Sequence, residues 1–281
     1  MLGKLAWKSI TYRPINTALS LSMLLFGVGI ISLLLLMQQQ IEQKFRRDLQ
    51  NTDLVIGAKG SPLQLVLSAI YHLDAPTGNI SLDEAQKVMG NPMVKEAIPL
   101  AYGDTYRGYR ILGTTESYLE KYRAKIQDGD IFNAPMQATL GAAVAEKTKL
   151  RVGETFLGTH GESRQGHLHE NNPYTVVGIL QETNTVIDQL VLTNIESVWE
   201  VHEHQNKEEG HSEEEAHSEE DKPHSEQAHH PDEPQHQEAH SDDQREITAV
   251  LLKYKSKRAV LTLPRMINEQ TNMQAVYSCT S

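Results

Sequence analysis

The chain of 281 residues has a single cysteine, Cys279, so no disulfide closes within it, and its redox compartment stays open. No basic stripe or nucleic-acid motif is present, which sets aside nucleic-acid binding. There is no GxSxG elbow or comparable nucleophile motif, and nothing in the sequence argues for an enzyme. A phosphate loop is also missing. Gly57-Ala-Lys-Gly-Ser-Pro62 lacks the GxxxxGK[ST] spacing, and Pro62 removes an amide where a phosphate-binding helix start would need one. Its glycines are expected to form a tight turn. Long apolar runs are absent as well, with one exception.

That exception is Thr17–Met37, 21 consecutive residues without a charged side chain. As a helix the run is roughly 30 Å long, about the thickness of a bilayer's hydrocarbon core. A secretory signal peptide is the bland reading, with Lys4, Lys8 and Arg13 as its basic leader. The run exceeds the usual apolar region of such peptides, and Gln38-Gln39-Gln40-Ile41-Glu42 offers no small-x-small cleavage site, so an uncleaved anchor is expected. Charge leaves orientation undecided, because Lys44, Arg46 and Arg47 on the far side balance the three basic residues before the span.

Five regions follow from composition and periodicity. Residues 1–16 form a leader, and residues 2–12 suit a short helix at the membrane surface. Residues 17–37 are the transmembrane helix, continued by a polar helical stretch to residue 50. The main α+β domain occupies 38–201. It contains an expected strand at 53–57 and an apolar core segment at 62–70. A capping box at Ser81 and Glu84 should open a helix that closes at Gly90. Further strands are expected at 109–113, 137–144, 154–157, 174–180 and 189–193, with a helix at 116–125. Residues 202–243 form a His/Asp/Glu-rich loop, and 244–281 return to the domain, led by a strand at 246–253 and ending in a tail.

The loop is the compositional outlier. Between Val201 and Arg245 there is no Leu, Ile, Val, Phe, Tyr, Trp or Met, so the segment has nothing to bury and is expected to be disordered. It carries fifteen acidic residues and two lysines, a net charge of −13 against −11 for the whole chain. The rest of the protein is therefore close to neutral. A short motif, Gly/Ala/Pro-His-Ser followed by an acidic residue and then an acidic residue or Gln, occurs four times, beginning at Gly210, Ala216, Pro223 and Ala239.

Nine of the thirteen histidines fall in this loop: His202, His204, His211, His217, His224, His229, His230, His236 and His240. Neutral imidazoles among carboxylates suit zinc, copper or nickel. Their irregular spacing fits a fluctuating multi-site loop rather than a structural zinc framework. The competing reading is a solvated acidic tether. His160, His167 and His169 form a second, weaker candidate cluster, for which an ordinary polar loop is the plainer reading. His72 is expected to be a packed, hydrogen-bonded residue. No cofactor is required, and zinc is the metal to test.

The order of segments resembles a known family. Ala6-Trp7-Lys8-Ser9 and Arg13-Pro14 precede the span. Beyond it come Ile111–Tyr118, Asp128-Gly-Asp-Ile-Phe132, Ala143–Phe156, Tyr174-Thr-Val-Val-Gly-Ile-Leu180 and Thr185–Leu192. Together these resemble the N-terminal half of MacB/FtsX/LolC-like ABC transporter permeases. Asp53–Pro62 and Asp74–Asn79 look like a subgroup signature. The resemblance implies one N-terminal transmembrane helix with a cytoplasmic N-terminus in the bacterial inner membrane. It also implies a periplasmic porter-like α+β domain with a smaller strand-rich subdomain, carrying here the disordered His/acidic insert. The implied partners are a cognate cytoplasmic ABC ATPase, membrane lipid and a second permease, as homodimer or heterodimer. The implied mechanism is mechanotransmission from that ATPase to the periplasmic domain.

Family members carry three further spans after the periplasmic domain. Thr271–Ala275 looks like the approach to the second span, and Val276–Ser281 does not continue it, so the chain reads as a broken or partial permease. The alternative is a single-span, periplasm-facing metal-binding protein or an adaptor.

Overall fold

The structure is a computed structural model that describes Tyr12 and residues 14–159, 173–201, 245–256 and 258–278. Residues 2–11 of the expected interfacial helix, the loop 202–243 and the 160–169 histidines lie outside the described residues. The chain divides into two units, Met1–Arg47 and Asp48–Ser281.

The first unit is dominated by α1, an unbroken helix from Pro14 to Leu49. Among the described residues it is the one helix long and apolar enough to cross a membrane. Its apolar side chains, from Ile15 through Met37, are exposed rather than packed on protein, as expected of a lipid-facing segment. The polar continuation past Met37 is helical to Leu49, and the last residues of α1, Asp48 and Leu49, belong to the second unit.

The second unit is built on one large sheet. Its order is β12 (Met273–Tyr277), β1 (Leu54–Ala58), β11 (Ala249–Tyr254), β3 (Val94–Tyr106), β4 (Tyr109–Thr114), β9 (Leu190–Asn194), β6 (Gln137–Leu140), β8 (Tyr174–Leu180) and β5 (Ile126–Gly129). A short β7 (Thr155–Phe156) also pairs with β8, and β2 (Ile80–Ser81) pairs with β10 (Glu246–Ile247) apart from this sheet. The thirteen-residue β3 spans both halves, pairing β11 through its first part and β4 through its second.

The half around β1 is a ferredoxin-like βαββαβ unit, with the antiparallel order β12-β1-β11-β3. Helices α3 (Leu82–Met89) and α7 (Ala259–Gln270) share a core cluster with Leu54 and Ile56 of β1. Helix α2 (Pro62–Tyr71) packs with Val55, whose side chain points to the other face. Covering both faces explains why β1 and β11 read as continuous apolar runs rather than alternations. The other half, β4-β9-β6-β8-β5, is the smaller strand-rich part and carries α4 (Glu116–Lys121), α5 (Ala142–Thr148) and α6 over residues 195–201. It contains two parallel pairs, β4–β9 and β6–β8.

Several local expectations change. The strand expected over 137–144 stops at Leu140, and α5 begins at Ala142. Gly141 sits between them because a Cβ there would lie 2.3 Å from the Ile187 carbonyl oxygen. The Ser81–Glu84 capping box does not form. Ser81 pairs with Glu246 in the β2–β10 ladder and makes no side-chain cap. The helix expected at 116–125 ends at Lys121, and β5 follows. Gly57 belongs to β1 rather than to a turn, and it lets Leu65 of α2 approach where a Cβ would be 2.4 Å from that side chain. Thr271–Ala275, expected to lead toward a second span, enters β12 at Met273. The expected return of the chain after the insert is observed, since β11 inserts between β1 and β3.

Candidate functional site at the start of the folded domain

Asp48 begins the second unit and is 2% exposed, an unusual position for a carboxylate. Its Oδ1 accepts the Val186 N–H at 3.0 Å, and its backbone oxygen accepts from Lys121 Nζ at 2.8 Å. The chain then leaves α1 through Asn51, held at φ 61° in the left-handed region, which Asn tolerates. Asn51 Oδ1 accepts from Lys253 Nζ at 2.7 Å, and its amide donates to the Lys121 carbonyl at 3.4 Å. Residues 48–51 are thereby bonded to α4, to β11 and to the turn before β9.

Lys121 is itself 3% exposed, and its ammonium lies 4.0 Å from the centre of the Tyr122 ring. Burial lowers its pKa to about 7, while Asp48 and Glu96 act in the opposite direction. Helix α4 brings Tyr118, Lys121 and Tyr122 inward together because residues three and four apart share a helix face.

Behind Lys121 stands His72, the left-handed C-cap of α2 at φ 54°. Its backbone N–H closes α2 on the Ser68 oxygen, and both ring nitrogens meet tyrosines. Nδ1 is 2.9 Å from Tyr102 Oη, and Nε2 is 2.7 Å from Tyr118 Oη. Tyr102 donates its own proton to the Ser68 carbonyl, so its oxygen accepts from His72 Nδ1–H. Nε2 is then the acceptor for the Tyr118 hydroxyl, which fixes a neutral Nδ1–H tautomer. The Tyr118 and Tyr122 rings pack edge to face with centroids 5.1 Å apart, and the Tyr122 hydroxyl donates to the Asp48 carbonyl oxygen at 3.4 Å. Helix α4 therefore reaches the end of α2 through Tyr118 and His72, and Asp48 through Lys121 and Tyr122.

Electrostatics match this geometry. Burial, followed by Arg110 and Lys121, lowers the His72 pKa to about 3. Burial raises Tyr102, Tyr118 and Tyr122 well above the ordinary phenol value, so all three stay protonated donors. Arg110 lies 4.6 Å over the Tyr102 ring and donates to the Asp74 carbonyl at 3.0 Å, holding the loop after α2. The cluster holds no nucleophile paired with an unoccupied base, and its chemistry is that of a tightly bonded joint.

His72 is packed and hydrogen-bonded, as its sequence context suggested. The metal candidates are not placed: His202, His204, His211, His217, His224, His229, His230, His236 and His240 lie outside the described residues, as do His160, His167 and His169. Among the described residues no group of three or more His, Cys, Asp or Glu side chains is arranged to hold a metal ion. Sequence reasoning missed Asp48, Lys121 and the three tyrosines. The available signal was the Tyr118/Lys121/Tyr122 spacing on a short helix, a charge placed between two aromatics on an inward face.

The family model of the MacB-like periplasmic core domain matches residues 17–216. The chain belongs to this family, whose domain is that of ABC transporter permeases. No curated protein matches the sequence significantly. Two solved structures are similar in part. The periplasmic region of MacB from Actinobacillus actinomycetemcomitans is 8% identical, over 83% of this chain and 91% of that one, with a TM-score of 0.48. The extracellular domain of the noncanonic ABC-type transporter YknZ from Gram-positive bacteria is 13% identical, over 80% of this chain and 100% of that one, with a TM-score of 0.42. The family assignment rests on the sequence model.

Proposed function

We propose that this chain is the N-terminal part of a permease subunit of the MacB/FtsX mechanotransmission type. It acts with a separate cytoplasmic ATPase and a second permease, and it has no catalytic role of its own. The N-terminus is cytoplasmic and the folded domain periplasmic, in the inner membrane. The observation that supports this reading is the continuity of α1. One helix runs from Pro14 to Leu49, and Asp48 near its end is built into the domain through Lys121 and Val186. A helix is stiff along its axis, so an axial displacement is passed on rather than absorbed. Co-expression with ABC ATPases from the same genome tests the proposal. Copurification and a changed ATP turnover are expected, and two glycines inserted after Gln40 should abolish the change in turnover while leaving the domain folded. If no ATPase copurifies or changes its turnover, the reading fails.

Composition supports a second role. With nine histidines among fifteen carboxylates, the segment 202–243 is a zinc- or copper-binding loop. Binding requires neutral imidazoles and is lost as pH falls below about 6. Isothermal titration with Zn²⁺, before and after excision of 202–243, decides it, and unchanged binding after excision refutes it.

A further inference from the structure

His72 is the one residue of the buried cluster that joins three elements through its side chain and cap. Its backbone closes α2, its Nδ1–H holds Tyr102 of β3, and its Nε2 accepts from Tyr118 of α4. The last bond depends on a lone pair. A second proton on the ring converts Nε2 from acceptor to donor and sets it against the Tyr118 hydroxyl proton. Tyr118 then has to turn its proton away, while its ring is held edge to face on Tyr122. The new charge also enters a neighbourhood that is already positive.

The groups around the ring come from every element packed against it. Helix α2 supplies Tyr71, which acts on Tyr122, and β3 supplies Tyr102, with Glu96 on the same strand acting on Lys121. Arg110 of β4 and Lys121 of α4 are the cations that face His72. Tyr118 and Tyr122 are neutral, and Asp48 acts on Lys121 and Tyr118. The nearest carboxylate in sequence, Asp74, is turned onto the Ala75 N–H at 2.8 Å.

We propose that His72 is a proton-operated latch. While neutral it ties α4 to α2 and β3, and on protonation it releases α4 together with the Asp48 carbonyl that Lys121 and Tyr122 hold. Its bearing on transport rests on the relay reading above; the latch itself does not. The closed form resists protonation down to a pKa of about 3, and the released ring takes the ordinary value of 6.5. A base whose pKa is lowered in the closed form favours that form fully above 6.5, and the advantage is lost as pH falls toward 3. Release is therefore about 30-fold more favoured at pH 5 than at pH 7.5.

Hydrogen exchange on the full chain in detergent, read by mass spectrometry over segments 46–52 and 116–124, tests this. After correction for the intrinsic rate at each pH, the rise in opening at pH 5 should be about 30-fold greater in the wild type than in His72→Gln. His72→Gln keeps an acceptor and a donor but does not titrate, and its opening should rise only about fourfold, the part that Lys121 adds as it takes up its proton between pH 7.5 and 5. An equal rise in both proteins, or none in the wild type, overturns the latch. If His72→Gln does not fold, ring ¹⁵N shifts of the wild type decide. A neutral Nδ1–H ring in the protected state is expected, whereas a charged ring with both segments still protected overturns the proposal. A pH-dependent release without any effect on ATPase turnover would refute the relay reading and leave the latch standing.

Discussion

Replacing Lys121 by methionine should make the folded domain more stable at pH 6, although it removes a hydrogen bond. The reason lies in the depth of the site. Lys121 is 3% exposed and its pKa falls from 10.5 to about 7, so its charged form is disfavoured by about 3.5 units. At about 1.4 kcal/mol per unit, folding with the charge in place costs about 5 kcal/mol below pH 7. Methionine removes that cost while filling a similar volume. It also leaves the Asp48 carbonyl without its 2.8 Å donor, a loss of about 1–3 kcal/mol. The net gain is about 2–4 kcal/mol at pH 6.

Between pH 7 and 10.5 the unfolded chain binds the lysine proton and the folded chain does not, so wild-type stability rises with pH across that window. The advantage of Lys121→Met shrinks accordingly, reaches zero near pH 9 and reverses above it. Urea denaturation of both proteins at pH 6, 8 and 10, followed by the fluorescence of Trp199, measures the difference. A variant less stable at pH 6, or a difference that does not vary with pH, would refute the argument. Function should move the other way: with Asp48 released from α4, the stabilised variant should change ATPase turnover less than the wild type does.

Other outcomes follow from single contacts. Gly141→Ala places a Cβ 2.3 Å from the Ile187 oxygen and 2.5 Å from Asp188 backbone atoms, so it should cost about 2–4 kcal/mol and lower the melting temperature by several degrees. Asp188→Ala removes the carboxylate that accepts from the Thr183 and Asn184 N–H groups at 2.7–3.1 Å, and calorimetry should show a loss of about 2 kcal/mol. Glu42→Gln breaks an exposed 2.7 Å pair with Arg46 and should change stability by less than about 0.5 kcal/mol. Excision of 202–243 should leave the melting temperature within two degrees or so of wild type, because that segment supplies no apolar side chain to a core.

The elements that depend on local chemistry were legible. Tyr174–Leu180 alternates buried and half-buried residues along β8 and was read to the residue, because a strand with one face in the core advertises its period. The apolar segment 62–70 became α2, with Pro62 in its first turn and Ser61 as the cap accepting from the Gln64 N–H. What failed were boundaries set by neighbours far along the chain. Leu140 ends β6 because the Ile187–Asp188 backbone passes against Gly141, and Ser81 forgoes its cap because Glu246 arrives from 165 positions away to pair with it. Strand β3 escaped notice because its thirteen residues change partners midway, so neither half carries one clean period.

The sequence by itself determined that a helix long enough to span a bilayer precedes an α+β domain, and that residues 202–243 have no large apolar side chain to offer a core. Both follow from composition, since the cost of burying or exposing each residue type is additive over a local window. Only the tertiary structure decided that His72, Tyr102, Tyr118, Lys121 and Asp48 form one bonded cluster. Those residues come from four elements spread over 74 positions, and each alone reads as an ordinary polar or aromatic side chain. The shifted acidities of His72, Tyr102, Tyr118 and Lys121 arise from mutual proximity and shared burial, quantities that exist only once the chain has folded.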